Sequence, residues 1–424
     1  MKKIAVGTAM LAAAGLLVGC AASGPATEEG QESVTIKLWS WRTEDVEKYN
    51  AIFDVYEEAN PGVTVDFQAF KNTEYSQILT TGLTGSDGPD VIMVQAYGRI
   101  QPYIEGENLV ELGELIPELA EFDATALAGS SAYKSEGIYG VPFATQIMTM
   151  FYNKAIFENL GLEEPTTWDE FIEVNEELLA ADLVPMAVGA KDAWTLPMLH
   201  DNLAAAVYGG NEFREKVLDG SANFEDPAYV ESIQVVSDLS KYMPENSVGV
   251  AYTEAQALFI AEQAGMFPGG SFEQSFFETQ NPDLELGVFP VPPAPDAVID
   301  EPITVGYADG SFAINAASKQ QDAALDLVRW TATSEFGQLF SDAVKQASSV
   351  PGVEYNDPIL KEITEDYAEN GSPYLLLTDF RWGTPSGTDI MNVKIQELLL
   401  GTAQPADIGK AIQEGVSTWF VPGQ

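Results

Sequence analysis

Strand-like and helix-like segments alternate along most of this chain, and this alternation constrains its fold more than any other feature. Residues 34–39 alternate apolar and polar side chains as a half-buried strand does, and residues 63–67 and 90–94 also predict strands. The stretches between them, 46–60 and 75–82, place apolar residues one helical turn apart and predict helices. Strand, helix, strand, helix, strand is typical of an α/β fold with a doubly wound sheet.

The single cysteine, Cys20, excludes an intrachain disulfide, so the folded protein must be stabilised by its core alone. A chain of 424 residues is long enough to do this and to form two lobes. Lys2 and Lys3 precede an apolar stretch at 4–18, which is too short and wrongly flanked for a permanent spanning helix. A short basic region, an apolar region and small residues before the cut are typical of an export signal.

Residues 17–20, Leu-Val-Gly-Cys, resemble the lipobox of bacterial lipoproteins. In that family the cysteine thiol takes a diacylglycerol, the peptide is cut before the cysteine, and the new amine is often acylated. The resemblance implies a lipoprotein signal peptide at 1–19 and a lipidated Cys20, with palmitate among the expected chains. Small, polar, Gly- and Pro-containing residues then predict a flexible tether over 20–33. An ordinary secretory signal with a small buried cysteine is the alternative.

The charge balance restricts the partners. The chain has 65 acidic and 20 basic residues, which give a net charge of −45. Such a field repels nucleic acid, anionic lipid and polyanionic ligands, so we expect no nucleic-acid partner and no membrane contact except through the lipid anchor. A neutral or mildly charged small ligand fits more easily. We interpret the acidic residues as a solvated coat rather than as a specific acidic function.

The residues that catalysis most often needs are scarce. His200 is the only histidine, which excludes a His pair and a multi-histidine zinc site, and we expect it to pack in the core or to cap a helix. No Walker A loop, GxSxG elbow or EF-hand loop occurs. A pair of catalytic carboxylates remains open, because acidic residues are everywhere in this chain. We therefore expect a binding protein that is not an enzyme and that holds no cofactor or metal ion.

Several short stretches, each different from the others, follow one another in a characteristic order along nearly the whole mature chain. They lie at 38–41, 57–62, 88–92, 137–143, 150–154, 165–171, 264–271, 286–293 and 311–315. In order and spacing they resemble the extracellular sugar-binding proteins of ABC importers, of the maltose-binding-protein type (family 1 solute-binding proteins).

This resemblance implies a two-lobed periplasmic-binding-protein fold, type II-like, in which each lobe is a mixed sheet flanked by helices and the ligand lies in the cleft between lobes. The first lobe is expected to comprise 34–143 plus about 300–353, and the second 144–299 plus about 354–424. Segments at 140–142 and 290–295 are the expected crossings, and closure about such hinges is the general mechanism of these binders.

By the same resemblance, the protein is expected to be a monomer that captures a mono- or oligosaccharide outside the cell membrane. It would deliver the sugar to the transmembrane subunits of an ABC permease. Two alternatives remain: a surface lipoprotein enzyme acting on polysaccharide, and a binder of a peptide or another polar solute.

Sugar recognition combines flat aromatic faces with charged or amide side chains that hydrogen-bond hydroxyl groups. Gln146 replaces an acidic contact of the family, and Phe272 stands where the family often has a tryptophan, so the identity of the sugar, and whether it is neutral or acidic, stays open. Carried over position by position, the expected ligand-binding residues are Trp39, Trp41, Arg42, Gln95, Tyr97, Arg99, Gln146, Lys191, Asp192, Trp194, Gly270, Ser271, Phe272, Tyr307, Asp309, Arg381 and Trp382.

Overall fold

The structure is a computed structural model that describes residues 33–85, 87–133 and 136–423. The predicted signal peptide, Cys20 and all of the predicted tether except residue 33 lie outside the described residues. Within them, the strands are β1 Val34–Ser40, β2 Val63–Ala69, β3 Val91–Gln95, β4 Val141–Pro142, β5 Ala144–Asn153, β6 Val184–Met186, β7 Ala264–Gly270, β8 Leu286–Phe289, β9 Thr304–Ala308, β10 Gly310–Ile314, β11 Ala347–Ser348 and β12 Gly371–Pro373.

The α-helices lie between and after these strands, several of them in succession. They are α1 Val46–Ala59, α2 Asn72–Thr84, α3 Gln101–Glu105, α4 Ala124–Ala128, α5 Lys154–Leu160, α6 Trp168–Ala180, α7 Leu196–Tyr208, α8 Gly210–Asp219, α9 Pro227–Leu239, α10 Tyr252–Ile260, α11 Gln274–Gln280, α12 Gln321–Trp330, α13 Ser334–Val344, α14 Pro358–Asn370, α15 Leu375–Thr378, α16 Gly387–Leu399 and α17 Pro405–Val416. Short 3-10 helices add Thr43–Asp45, Tyr97–Arg99, Pro117–Glu121, Ala193–Thr195, Ser240–Tyr242, Ser247–Gly249 and Ser271–Glu273.

Local sequence explains where individual helices begin. A capping box starts α6: Thr167 Oγ1 accepts a hydrogen bond from the Glu170 amide, and the Glu170 carboxylate accepts one from the Thr167 amide. The periodic stretch at 46–60 forms α1, which buries Tyr49, Ile52 and Phe53 on one face.

The strands form two mixed sheets. The first has the order β2-β1-β3-β10-β4, with β1 parallel to β2 and β3, and with β10 antiparallel to β3 and β4. The second has the order β12-β9-β5-β7-β6, and β8 and β11 also pair with β5. Separate hydrophobic cores lie with the two sheets: Ile36, Val91 and Phe312 belong to the first, and Met150 and Leu203 to the second. The expected two-lobed α/β architecture, with a mixed sheet and helices in each lobe, is therefore confirmed.

The backbone changes sheet at Phe143, between β4 and β5, and again at Asp309, between β9 and β10. A further change falls between α13, whose Val344 packs in the first core, and β11, which pairs with β5. The segment at 290–295, which we expected to cross between lobes, instead joins β8 to β9, and both of these pair with β5. We expected the chain to return to the first lobe near residue 300. Because β9 pairs with β5, the chain instead stays in the second sheet until Ala308.

His200 packs inside the second core, in agreement with the sequence. Its side chain is fully buried, with Nδ1 2.9 Å from Asp201 Oδ1 and Nε2 2.7 Å from Ser232 Oγ. The hydrogen bond to Ser232 links α7 to α9, so the imidazole joins two helices.

Candidate functional site

Sheet topology brings distant loops to one edge. The parallel strands β1 and β3 end at the same edge of the first sheet, and β10 starts there because Gly310 pairs with Gln95. The loops that carry Arg42, Tyr97 and Asp309 are therefore neighbours. Asp309 also follows β9 directly, so it joins this edge to the start of β5 in the second sheet.

A buried hydrogen-bond network occupies this junction. The Gln146 amide nitrogen donates to Asp309 Oδ2 at 3.1 Å and to Gln346 Oε1 at 2.8 Å. The Gln146 amide oxygen accepts from Ser271 Oγ at 3.0 Å. Arg42 Nη1 lies 4.0 Å from Asp309 Oδ2, so residues of both sheets belong to one polar cluster. Gln346 was missed by the sequence reasoning, because it lies in a crossing that was not located.

Charge and burial compete at Asp309. Burial raises the pKa of its carboxyl above the ordinary value, while Arg42 and the hydrogen bond from Gln146 oppose the rise. Arg42 is itself held by Asp45, whose Oδ2 accepts from Nη2 at 2.6 Å and from Nε at 3.0 Å. The guanidinium is thereby fixed in position beside the junction, because two of its nitrogens donate to one carboxylate oxygen.

Two expected aromatic contacts pack into the first lobe instead of standing free. Trp41 is 5% exposed, and its ring centroid lies 5.9 Å from that of Tyr75 and 6.1 Å from that of Phe143. Trp39 packs against Phe70 at 5.0 Å in an edge-on arrangement. These tryptophans form walls of the first lobe near the edge where β1 and β3 end.

Several candidates form direct contacts between the lobes. The Trp382 ring stacks on Tyr133 at 4.8 Å and meets the edge of Tyr97 at 5.8 Å. Arg99 Nη2 lies 3.7 Å from Asp389 Oδ1. The Tyr97 hydroxyl accepts a hydrogen bond from the Ala308 amide at 3.1 Å, which ties this turn to the end of β9.

A second cluster lies on the second lobe around a buried carboxyl. Glu273 accepts from the Tyr252 hydroxyl at 2.6 Å and from the Gln256 amide at 2.8 Å, and burial raises its pKa to about 7. The Trp194 ring packs edge-on against Tyr252 at 4.9 Å, and Asp192 accepts from the Tyr252 amide at 2.8 Å.

Glu273 also lines a small cavity. A cavity of about 20 Å³ lies between Glu273, Tyr252, Gly189 and the end of β7 at Gly269. The sequence analysis missed Glu273 and Tyr252, although Glu273 directly follows the expected contacts Gly270, Ser271 and Phe272. The last residue of β7, Gly270, pairs with Met148 of β5.

Other candidates lie apart from these clusters or on their margins. Gln95 donates to Asn72 at 2.9 Å within the first lobe. Lys191 is exposed, and its carbonyl accepts from Gln396. Tyr307 is part-buried and packs against Tyr374 with ring centroids 5.7 Å apart.

The described ranges contain no group of three or more His, Cys, Asp or Glu side chains placed to hold a metal ion. Within the same ranges, no helix combines the length and apolar character needed to cross a bilayer.

Known proteins resemble this chain over most of its length. The multiple sugar-binding protein of Streptococcus mutans is 26% identical over 360 residues, which cover 81% of this chain and 82% of that protein. The melibiose/raffinose/stachyose-binding protein MelE of Bacillus subtilis is 21% identical over 411 residues, covering 94% and 92%.

Solved structures show the same fold. One, from work on xylan utilisation by Caldanaerobius polysaccharolyticus, has a TM-score of 0.78 at 21% identity and covers 90% of this chain and 99% of its own. RafE in complex with raffinose has a TM-score of 0.74 at 23% identity, with 92% and 100% covered. Residues 40–338 match the family described as bacterial extracellular solute-binding protein, and this chain therefore belongs to that family.

Proposed function

We propose that this protein binds a carbohydrate, most simply an oligosaccharide, between its two lobes and delivers it to the transmembrane subunits of an ABC permease. The observation that carries the proposal is the polar junction of Arg42, Asp309, Gln146 and Ser271, in which groups of both sheets meet. Relatives named as sugar-binding proteins support it.

The aromatic residues near this junction suit a sugar ring. Trp194 and Tyr252 lie beside the Glu273 carboxyl, and Trp382 lies between the lobes. A pyranose presents apolar C–H faces and polar edges, so aromatic side chains next to hydrogen-bonding groups match its surface. Gln95, Lys191, Trp39 and the core-packed Trp41 remain expected contacts with less support from their positions.

We propose hinges at the sheet crossings, at Phe143, at Asp309 and between α13 and β11. Rotation of the lobes about such hinges would enclose the sugar, as in other two-lobed binders. The protein would act without catalysis and as a monomer.

The test uses the protein from residue 34 onward, heated with each member of a carbohydrate panel. A bound sugar raises the free energy of unfolding by mass action, by about 2.7 kcal/mol at 100 times Kd, and should alter the fluorescence of the seven tryptophans. Chromatography of the same mixtures should show no product. Sugar turnover would favour the polysaccharide-acting enzyme, and a shift with peptides alone would favour a binder of another solute.

A variant pair locates the site. Trp194→Ala should weaken binding of the sugar found in the panel by about tenfold or more, because it removes an aromatic face beside Glu273. Trp419→Ala is the matched control: Trp419 is also a partly buried tryptophan of the second lobe, but it packs against Phe420 and donates to the Pro385 carbonyl. Equal affinities in the two variants would place the sugar elsewhere.

We further propose that Cys20 anchors the protein to the outer face of the cell membrane through lipid after removal of residues 1–19. Cys20→Ala should release or mislocalise the protein, as seen by fractionation of cells, and should leave sugar affinity unchanged. Loss of affinity in the purified variant would contradict this division between anchoring and binding.

A further inference from the structure

Arg381 differs from the other arginines of this chain in having no carboxylate partner. Among the described residues it makes no hydrogen bond or ion pair through its side chain, and its Nε is shielded from solvent without a partner. The chain has 65 acidic residues against 20 basic ones, so partners are abundant elsewhere. Each of the other arginines lies within 4.0 Å of a carboxylate, in the pairs Arg42–Asp45, Arg99–Asp389, Arg214–Asp379 and Arg329–Asp326.

The unpaired guanidinium lies at the meeting of the two lobes. Its backbone carbonyl packs against Gly98 of the first lobe, where an added Cβ would lie 1.7 Å from the Arg381 oxygen. Its positive charge opposes the burial-driven rise in the pKa of Tyr307 and of Asp309. Arg381 is therefore close to the crossing at Asp309 and to the polar junction around it.

The surroundings do not compensate this charge. Burial, together with the nearby positive charge of Arg99, lowers the pKa of Arg381 to about 10. Asp389 acts in the opposite direction, but it already pairs with Arg99 at 3.7 Å. The side chain is part-buried, and its Nε is shielded from solvent. A cation that is partly removed from water without an anionic partner is unfavourable, whereas a paired and hydrogen-bonded one is tolerated.

We infer that the ligand carries an anionic group, the carboxylate of a uronic acid, which pairs with Arg381 between the lobes. This rests on the proposed carbohydrate function and names the class of sugar. The planar guanidinium matches a carboxylate through two parallel hydrogen bonds. The carboxyl of Asp309 and the carboxylate of Glu44, which both act on this junction, favour a singly charged group over a phosphate dianion.

The experiment compares acidic oligosaccharides with their own neutral forms. Uronate-containing fragments of plant and animal polysaccharides are titrated calorimetrically into the full-length mature protein, and each is matched by the same fragment with its carboxylate reduced to an alcohol. We expect the acidic form of the preferred fragment to bind about 10 to 100 times more tightly than the reduced form. A sulfated neutral fragment in the same panel tests the other singly charged anion.

Variants assign the preference to one residue. Arg381→Met should abolish the difference in affinity between the acidic and reduced forms. Arg381→Lys should restore part of it, because lysine keeps the positive charge but cannot donate two parallel hydrogen bonds to a carboxylate. Arg329→Met is the control, since Arg329 is a partly exposed first-lobe arginine paired with Asp326. Melting curves of each variant show that it is folded.

The possible results separate this inference from the proposed function. Equal binding of acidic and reduced forms, or a panel in which only neutral or only sulfated sugars bind, overturns the inference and leaves carbohydrate binding intact. A panel in which no sugar binds overturns both. The comparison of acidic and reduced forms needs no variant, so a poorly folded Arg381→Met protein does not prevent a decision.

Discussion

At the scale of single residues, burial decides whether the carboxyl group of Glu273 on the second lobe is charged. Glu273 is 1% exposed and is bonded to two neutral donors, Tyr252 and Gln256. Burial, with a smaller contribution from Glu44, raises its pKa from an ordinary 4.5 to about 7, although the hydrogen bonds and Arg42 oppose the rise. The folded protein thus holds a proton that the unfolded chain releases between these values. Stability therefore falls as pH rises through this window, and the loss is complete above about pH 7.

Glu273→Gln should remove this pH dependence, since the amide keeps a hydrogen-bonding group in the same place and cannot ionise. The variant should gain up to about 3 kcal/mol over the wild type at pH 8 and much less at pH 4.5. Urea unfolding of both proteins at the two pH values measures this difference in the free energy of unfolding. Glu163→Gln, at an exposed position, is the control and should parallel the wild type. Equal pH slopes in wild type and Glu273→Gln would show that Glu273 ionises normally.

At the scale of elements, short turns set how closely the lobes approach. The 3-10 turn Tyr97–Arg99 follows β3 directly and presents Gly98 to the backbone of Arg381. The same turn places Tyr97 against Trp382 and Arg99 near Asp389, so three consecutive residues meet the second lobe. Tyr97 adopts a φ of 59°, which a non-glycine residue adopts only where its surroundings hold it there.

Gly98→Ala should separate the lobes at this turn. The new Cβ would lie 1.7 Å from the Arg381 carbonyl oxygen, so one loop must retreat, at a cost of about 1–3 kcal/mol. Ligand affinity should fall by about 10 to 100 times, as measured by calorimetry. The melting temperature without ligand should fall by no more than about 2–4 °C for each kcal/mol of this cost, because each lobe keeps its own core. Gly85→Ala, whose Cβ would meet Thr81 at 3.3 Å, should bind normally. Unchanged affinity in Gly98→Ala would mean that this contact is not part of the bound state.

At the scale of the whole molecule, the net charge of −45 opposes compaction, because like charges at the surface repel one another. Ion pairs relieve only part of this. Those that are well enclosed, such as Arg42–Asp45 and Arg214–Asp379, are screened less by salt than the exposed acidic side chains.

Added salt should therefore stabilise the protein. Raising NaCl from about 0.01 M to about 0.5 M shortens the screening length several-fold and weakens the repulsion. A gain of about 1 kcal/mol corresponds to about 2–4 °C in melting temperature for lobes of this size. Choline chloride at equal ionic strength should act similarly if screening is the cause, and calorimetric melting in both salts measures it. A melting temperature that falls with salt would show that attractive pairs dominate.

Much of the fold follows from local chemistry and is predictable. Strand periodicity at 34–39, the helix over 46–60 and the capping box of Thr167 and Glu170 each depend on neighbouring residues, and the structure contains all of them. The burial of His200 was also predictable, because a single histidine cannot form a site with a second one and is then expected to pack in the core. The site was predictable only as a set of loops at strand ends.

The chain by itself determined the α/β class, the absence of an intrachain disulfide, the acidic surface and most element positions, because these depend on composition and on contacts between near neighbours. Only the tertiary structure decided that the chain changes sheet at Asp309 and that Gln146 meets Gln346. It also decided that Trp41 packs into a core and that the Arg381 side chain has no hydrogen-bond partner within the part of the chain that the structure describes. Partners such as Gln146 and Gln346 are 200 residues apart, and no local pattern encodes which strand ends will face each other.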